Sequence, residues 1–164
     1  MEVKRLSILV PAFNEEKTIG TILRRLSELT LVNGIEKEIV VVNDCSRDGT
    51  QRELDQYISS HPNERILSFT QPVNMGKGAA LHKAISLATG EFVVVQDADL
   101  EYDPEEFNAL LQPVFKADAD VVYGSRFIGG NPHRILFYWH SIGNRWLTGL
   151  SNMFTNLNLT DMET

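Results

Sequence analysis

Glu38-Ile-Val-Val-Val-Asn-Asp44 is the stretch on which the fold turns. From Ile39 to Val42 it is apolar without a break. A strand with one wet face alternates polar and apolar residues. An unbroken run is buried on both faces, as the strands of parallel sheets are. The run ends in Asp44-Cys-Ser-Arg-Asp-Gly-Thr50, a cluster of turn-forming residues. The same pattern recurs on either side. Upstream, Leu6–Ala12 is a short β-rich run closed by Pro11. Asn14 can then cap a helix to about Leu29. Glu15 and Glu16 stand in its first turn, and Ile19, Ile22, Leu23 and Leu26 recur at helical spacing. Downstream come a helix to about Ser60, a strand over Arg65–Thr70, and a helix opened by Asn74-Met-Gly-Lys-Gly78 and running to Ala88. A fourth strand, Glu91–Gln96, leads into Asp97-Ala-Asp99. Pro104 suits the first turn of the next helix, to about Ala117. Asp120–Gly124 is a predicted fifth strand, and Leu136–Leu157 a longer amphipathic helix. Strands alternating with helices of this length predict βαβ units: an α/β fold with a mostly parallel sheet and helices on both faces. With no repeat, linker or low-complexity segment, residues 1–164 read as one domain.

Hydrophobic residues make up 43% of the 164, enough for a core and too many for disorder. The net charge of -7 argues against nonspecific nucleic-acid binding, which needs a basic footprint. The single cysteine, Cys45, cannot form an internal disulfide, so the chain is compatible with a reducing cytosol. The N-terminal residues lack the apolar region of a signal peptide. No apolar run reaches the roughly 20 residues that span a bilayer.

In open α/β sheets, ligands bind outside the carboxyl ends of the strands. That rule selects Pro11–Glu15, Asn43–Ser46, Gln71–Gly78, Asp97–Glu101 and Gly124–Arg126. Polar residues concentrate there. Asp97 and Asp99 can converge on one side if the chain stays extended. Two ionised carboxylates side by side are costly unless a cation neutralises them. Mg²⁺ or Mn²⁺ does so, Mg²⁺ using one or two carboxylates plus substrate phosphates and waters. The other reading of the pair is a solvated acidic turn. Gly76-Lys77-Gly78 at a helix start exposes backbone N–H groups to an anion such as phosphate, with Lys77 adding charge. It is not a Walker A loop, because Gly78 stands where Ser or Thr must follow the lysine. Asp44 can bind ribose hydroxyls or a base edge, or simply form a turn with Ser46 and Asp48.

Five segments together, Val10-Pro-Ala-Phe-Asn-Glu-Glu16, Val41-Val-Asn-Asp-Cys-Ser-Arg-Asp-Gly-Thr50, Asn74-Met-Gly-Lys-Gly-Ala79, Asp97-Ala-Asp-Leu100 and Gly124-Ser-Arg-Phe127, resemble the motif series of family 2 glycosyltransferases, in order and over nearly the whole chain. The resemblance implies a GT-A fold, a UDP- or GDP-hexose donor and a divalent metal, Mg²⁺ or Mn²⁺. It implies that Pro11, Ala12, Asn14 and Glu15 border the nucleotide, that Asp44 contacts the nucleoside, and that Lys77 lies beside the donor. Asp97 and its neighbour Ala98 would sit near the donor and metal, and Asp99 would be the principal metal ligand. Arg126 would face the acceptor phosphate. Two residues depart from the pattern: Cys45 stands where Gly is usual, and Glu101 where many relatives have Gln. Glu101 could add a third oxygen ligand.

Asp-Ala-Asp-Leu-Glu-Tyr-Asp-Pro104, Gly-Ser-Arg-Phe127 and Thr160-Asp-Met-Glu-Thr164 resemble in particular the polyprenyl-phosphate (dolichyl-phosphate) hexose synthases. The last segment is similar to an acceptor-side motif inside which the chain stops, so a truncated C-terminus is expected. The resemblance implies an inverting transfer to a polyprenyl phosphate at the membrane surface. A phosphate acceptor, with a second pKa of about 6, is already anionic near neutral pH and needs no general base. Arg126 and Arg145 could position it, with Asp161 as base or acceptor organiser. The stripe of Trp139, Gly143, Trp146, Leu147, Leu150, Met153, Phe154 and Leu157 suits an interfacial helix or a core-facing one. The expected location is cytoplasmic, on the cytoplasmic face of the membrane. Rival readings are a family 2 enzyme glycosylating a sugar hydroxyl in polysaccharide synthesis, a binding-only fragment, and a nucleotidyltransferase, whose glycine-rich N-terminal loop is absent.

Overall fold

The structure, a computed structural model, describes residues 3–125 and 138–161. Four strands form one parallel sheet: β1 (Arg5–Ala12), β2 (Glu36–Asn43), β3 (Ile66–Thr70) and β4 (Phe92–Val95), in the order β3-β2-β1-β4. Leu9 of β1 stands opposite Val40 of β2 and Val95 of β4. The run that decided the fold is buried on both faces: Ile39, Val40, Val41 and Val42 are all 3% exposed or less.

The strand order places the helices. From β1 to β2 to β3 the chain steps one way, through α1 (Ile19–Glu28) and α2 (Thr50–Ser60). From β3 it returns across the sheet to β4 through α3 (Lys77–Leu87). Parallel crossovers are right-handed, so α1 and α2 cover one face and α3 the other. Side-chain parity agrees. Ala80 and Ala84 of α3 pack in one cluster with Leu9, Val40 and Val42, all on the same face of the sheet. Ile19, Ile22, Leu23 and Leu26, the apolar stripe of α1, are fully buried. Each such side chain contributes about 1.5–3 kcal/mol by leaving water.

Two sequence expectations are corrected. Asn14 does not cap α1. Its φ of 58° puts it in the left-handed region, and α1 begins only at Ile19, after a turn at Glu15. Asp120–Gly124 is not a strand. Among the described residues nothing pairs with it, and Val121 and Tyr123 are exposed. An apolar run becomes a strand only when a neighbour completes its ladder.

At the amino ends of the strands the sheet carries a buried carboxylate. Glu38 accepts from Ser7 Oγ (2.7 Å), Thr89 N (2.7 Å), Thr89 Oγ1 (2.8 Å) and Arg65 Nε (3.0 Å). Burial alone would push its pKa up. The four donors outweigh burial and hold it at about 2.

The chain divides into two compact units, Met1–Ala109 and Leu110–Thr164. The sheet lies in the first. Asn108, near the start of α4 (Phe107–Ala117), accepts from Val32 N and donates to Thr30 O. In the second unit, α5 (Tyr138–Thr155) turns part of its polar side inward. Asn144 and Thr148 are buried, and Asn144 Nδ2 donates to Asp161 Oδ1 at 2.7 Å. Asn152 bonds both the N–H and the carbonyl of Leu159. The apolar face points outward: Trp139 is 77%, Trp146 65% and Phe154 79% exposed.

Candidate active site

The strand order reverses between β1 and β4, and at such a switch point the loops diverge and leave a crevice. A cleft of about 380 Å³ lies there, at the carboxyl end of the sheet. Pro11 and Ala12 at the end of β1, Phe13 and Glu15 after it, and Asp44 after β2 wall it. Asn74, Gly76, Lys77 and Ala80 come from the start of α3, and Asp97, Ala98 and Asp99 from the end of β4.

Asp44 builds one wall. It is 3% exposed and accepts from Gln71 Nε2 (2.8 Å), Met75 N (2.8 Å) and Gly76 N (2.7 Å). Three of the roughly four acceptor positions of a carboxylate are therefore used within the protein. The clamp fixes Gly76 at φ 87° as the N-cap of α3. That backbone conformation suits glycine, which has no Cβ to clash. Lys77, the first residue of α3, thus starts from a fixed point. Its Nζ reaches both oxygens of Asp97, at 2.7 and 2.8 Å.

The loops after β1 and β2 are tied to each other. Asn14 N donates to Ser46 Oγ (2.9 Å), and Arg47 N to Asn14 Oδ1 (2.9 Å). Glu15 N donates to Thr50 Oγ1 (2.8 Å), and Glu16 N to Asp48 Oδ2 (3.1 Å). Burial would raise the Asp48 pKa, but the side-chain and backbone donors of Thr50 and the N–H of Glu16 outweigh it and hold it below the usual range. This ladder accounts for the left-handed Asn14, whose backbone and side chain both bond the facing loop.

The structure gathers Pro11, Ala12, Glu15, Asp44, Lys77, Asp97, Ala98 and Asp99 around one cleft. Asn14 is not among the lining residues; its side chain joins the loops. Glu101 does not line the cleft. Arg126 lies outside the described residues. Asp161 belongs to the second unit, where it is 1% exposed. Asp97 and Asp99 both line the cleft by way of a turn at Ala98 and Asp99, not through the extended chain that the spacing suggested. The sequence reading missed Gln96, which is fully buried where β4 ends. Its only signal was a polar residue closing an apolar run.

Asp99 fits a divalent cation better than Asp97, both of whose oxygens already bond the Lys77 ammonium. Asp99 Oδ1 accepts from Glu101 N at 3.1 Å, and its Oδ2 makes no hydrogen bond among the described residues. No group of three His, Cys, Asp or Glu side chains converges among the described residues. An all-protein cage is not required, since Mg²⁺ takes one or two carboxylates and completes its shell with substrate phosphates and water.

The profile described as "Glycosyl transferase family 2" matches residues 7–160. The Escherichia coli (strain K12) protein named "Prophage bactoprenol glucosyl transferase homolog" is 36% identical over 122 residues, 74% of this chain and 39% of that protein. The chain thus spans about two fifths of the length of that curated relative. Among solved structures, the mannosyltransferase PcManGT from Pyrobaculum calidifontis in complex with GDP-Man and Mn²⁺ matches with a TM-score of 0.56 and 30% identity, covering 65% of this chain and 30% of that one. The glucosyl-3-phosphoglycerate synthase of Mycobacterium tuberculosis in complex with Mn²⁺, UDP and glucosyl-3-phosphoglycerate matches with a TM-score of 0.52 and 30% identity, covering 69% and 40%. These likenesses agree with the α/β, GT-A architecture expected from the motifs. On the profile match, the buried parallel sheet and the acidic cleft at its switch point, the chain belongs to glycosyl transferase family 2.

Proposed function

We propose that this chain is the donor-binding part of an inverting glycosyltransferase that moves a hexose from a UDP- or GDP-sugar to a polyprenyl phosphate. The observation that carries the reading is the meeting of Lys77, Asp97 and Asp99 in one cleft at the carboxyl end of the sheet. A nucleoside diphosphate matches that set: a cation and a helix N-terminus for the phosphates, and two carboxylates for a shared metal ion. The curated relative bears the name of a bactoprenol glucosyl transferase, and the solved relatives hold GDP-Man or UDP with Mn²⁺.

Pro11, Ala12, Phe13 and Glu15 shape the nucleoside end of the cleft. Asp44 holds the loop that delivers Lys77 and offers the nucleoside its remaining acceptor position. Asp99, with Asp97 beside it, would hold a divalent cation, which neutralises charge on the leaving diphosphate. The Lys77 ammonium supplies a second, fixed positive charge there. An acceptor phosphate oxygen attacks C1 of the hexose in line, and the bond from C1 to the nucleoside diphosphate breaks with its electron pair. No proton must move, because the attacking phosphate is already anionic with a second pKa of about 6. Arg126 and Arg145 position the acceptor. Asp161, buried and bonded to Asn144, organises the end of α5 and is not required as a base.

We place the protein at the membrane surface. No helix among the described residues is long and apolar enough to cross a membrane. Outward-facing Trp139, Trp146, Met153 and Phe154, on an 18-residue helix without an acidic residue, support interfacial contact.

The test is transfer of labelled hexose from UDP-glucose and from GDP-mannose to a polyprenyl phosphate in detergent micelles, beside a soluble glycan acceptor. The reading expects label on the lipid with one donor. Label on the glycan alone would move the function to a sugar-hydroxyl acceptor. Donor binding without transfer to either would leave a binding module.

A further inference from the structure

We propose that Gln96 is a positioning residue for the metal-holding turn, a clamp that sets where Asp97 and Asp99 stand in the cleft. The inference rests on the reading of these aspartates as the metal site. Gln96 is fully buried at the point where β4 gives way to the turn. Its backbone N–H donates to Leu9 O of β1 at 2.9 Å, so its root is tied to a fully buried residue of an interior strand. Its side-chain amide spans the turn, Nε2 donating to Asp97 O at 3.1 Å and Tyr102 O at 3.3 Å. The residues between those carbonyls include Asp99 and Leu100, and Leu100 is held at φ 64°. A branched apolar residue does not adopt that conformation unless its surroundings impose it. The amide bridge across the base of the turn is such a constraint.

The energetics argue that the amide serves the turn and not the core. Gln96 Oε1 is buried with no hydrogen-bond partner among the described residues. An orphaned buried acceptor destabilises a fold, and a methionine of similar length would fill the space without that penalty. What methionine lacks is the pair of N–H donors that join Asp97 to Tyr102. Groups that orient metal ligands typically alter affinity by about 10–100-fold when removed.

The experiment compares wild type, Gln96→Met, Gln96→Glu and Asp99→Ala of the full chain. Mn²⁺ affinity is read by the loss of free-Mn²⁺ electron paramagnetic resonance signal in the presence of UDP and of GDP. Nucleotide affinity in EDTA and thermal unfolding are measured in parallel. The proposal expects Gln96→Met to unfold at or near the wild-type temperature and to bind nucleotide normally in EDTA, but to bind Mn²⁺ about tenfold more weakly. Gln96→Glu, which turns acceptors toward two carbonyls, should weaken Mn²⁺ at least as much, and it carries the test where Gln96→Met is poorly folded. Wild-type Mn²⁺ affinity in both variants, with Asp99→Ala impaired, would overturn the clamp and leave the metal site standing. No Mn²⁺ binding by wild type, or none lost in Asp99→Ala, would overturn the metal reading and the clamp together.

Discussion

Lys77 Nζ straddles the Asp97 carboxylate, 2.7 Å from one oxygen and 2.8 Å from the other. The pair joins the first residue of α3 to the loop after β4, across the crevice where the strand order reverses. It brings a cation within reach of the place a diphosphate would occupy. Lys77 is 59% exposed, so as a plain surface ion pair the contact would contribute only about 0–1 kcal/mol.

That contrast gives the first prediction. Lys77→Met should leave the unfolding temperature nearly unchanged and weaken UDP or GDP binding about tenfold, roughly 1.4 kcal/mol. Calorimetric titration beside a thermal melt checks it. A large fall in melting temperature with unchanged nucleotide affinity would make the pair a structural tie.

Cys45 stands at φ 58°, where an L side chain crowds the backbone. The left-handed conformation costs about 1–2 kcal/mol in a non-glycine residue. Glycine gives back about 0.5–1 kcal/mol in lost chain freedom. Cys45→Gly should therefore stabilise the chain by roughly 0.5–1 kcal/mol, raising the melting temperature by about 1–4 °C. Cys45→Ala keeps the strain and should gain nothing. A lower melting temperature for Cys45→Gly would mean that the contact of Sγ with Pro72 O, at 3.7 Å, outweighs the strain.

Glu38 sets an acid limit on stability. Its folded pKa of about 2 lies below the ordinary 4.5, so its contribution is complete above about pH 5 and is lost as pH falls toward 2. The shift corresponds to stabilisation on the order of 3 kcal/mol. Urea unfolding of wild type and Glu38→Gln at pH 7 and pH 3 isolates it. The stability difference should shrink markedly at the lower pH. A difference independent of pH would mean that the side chain acts by shape alone.

The face of α5 offers a fourth test. Trp139→Ser with Phe154→Ser removes two large exposed side chains, each contributing about 1.5–3 kcal/mol if buried in a bilayer interface. Co-sedimentation with vesicles containing anionic lipid should fall at least tenfold, and the blue shift of tryptophan fluorescence should diminish. Equal sedimentation of both proteins would place that face elsewhere than on lipid.

The strands were legible because buried parallel strands appear as apolar runs, and the cleft because polar residues cluster at their carboxyl ends. Glycine's expected place at Cys45 was legible too, and φ 58° gives it a physical meaning. Contacts distant in sequence were not legible. Asn14 looks like a helix cap until Ser46 and Arg47 claim it from the facing loop. Glu38 looks like a polar strand end until Ser7, Arg65 and Thr89 surround it. Gln96 closes an apolar run, and nothing nearby in sequence tells that its amide bridges the next turn. The spacing of Asp97 and Asp99 suggests an extended chain, but the two line the cleft by way of a turn, a conformation that alternate spacing alone does not reveal.

The most direct measurement is isothermal titration of UDP, GDP, UDP-glucose and GDP-mannose, with Mn²⁺ and with EDTA, on wild type and Asp99→Ala. The account predicts binding of one nucleotide class that strengthens with Mn²⁺ in wild type and loses that metal dependence in Asp99→Ala. Binding of equal strength with Mn²⁺ and EDTA, unchanged in Asp99→Ala, would contradict it.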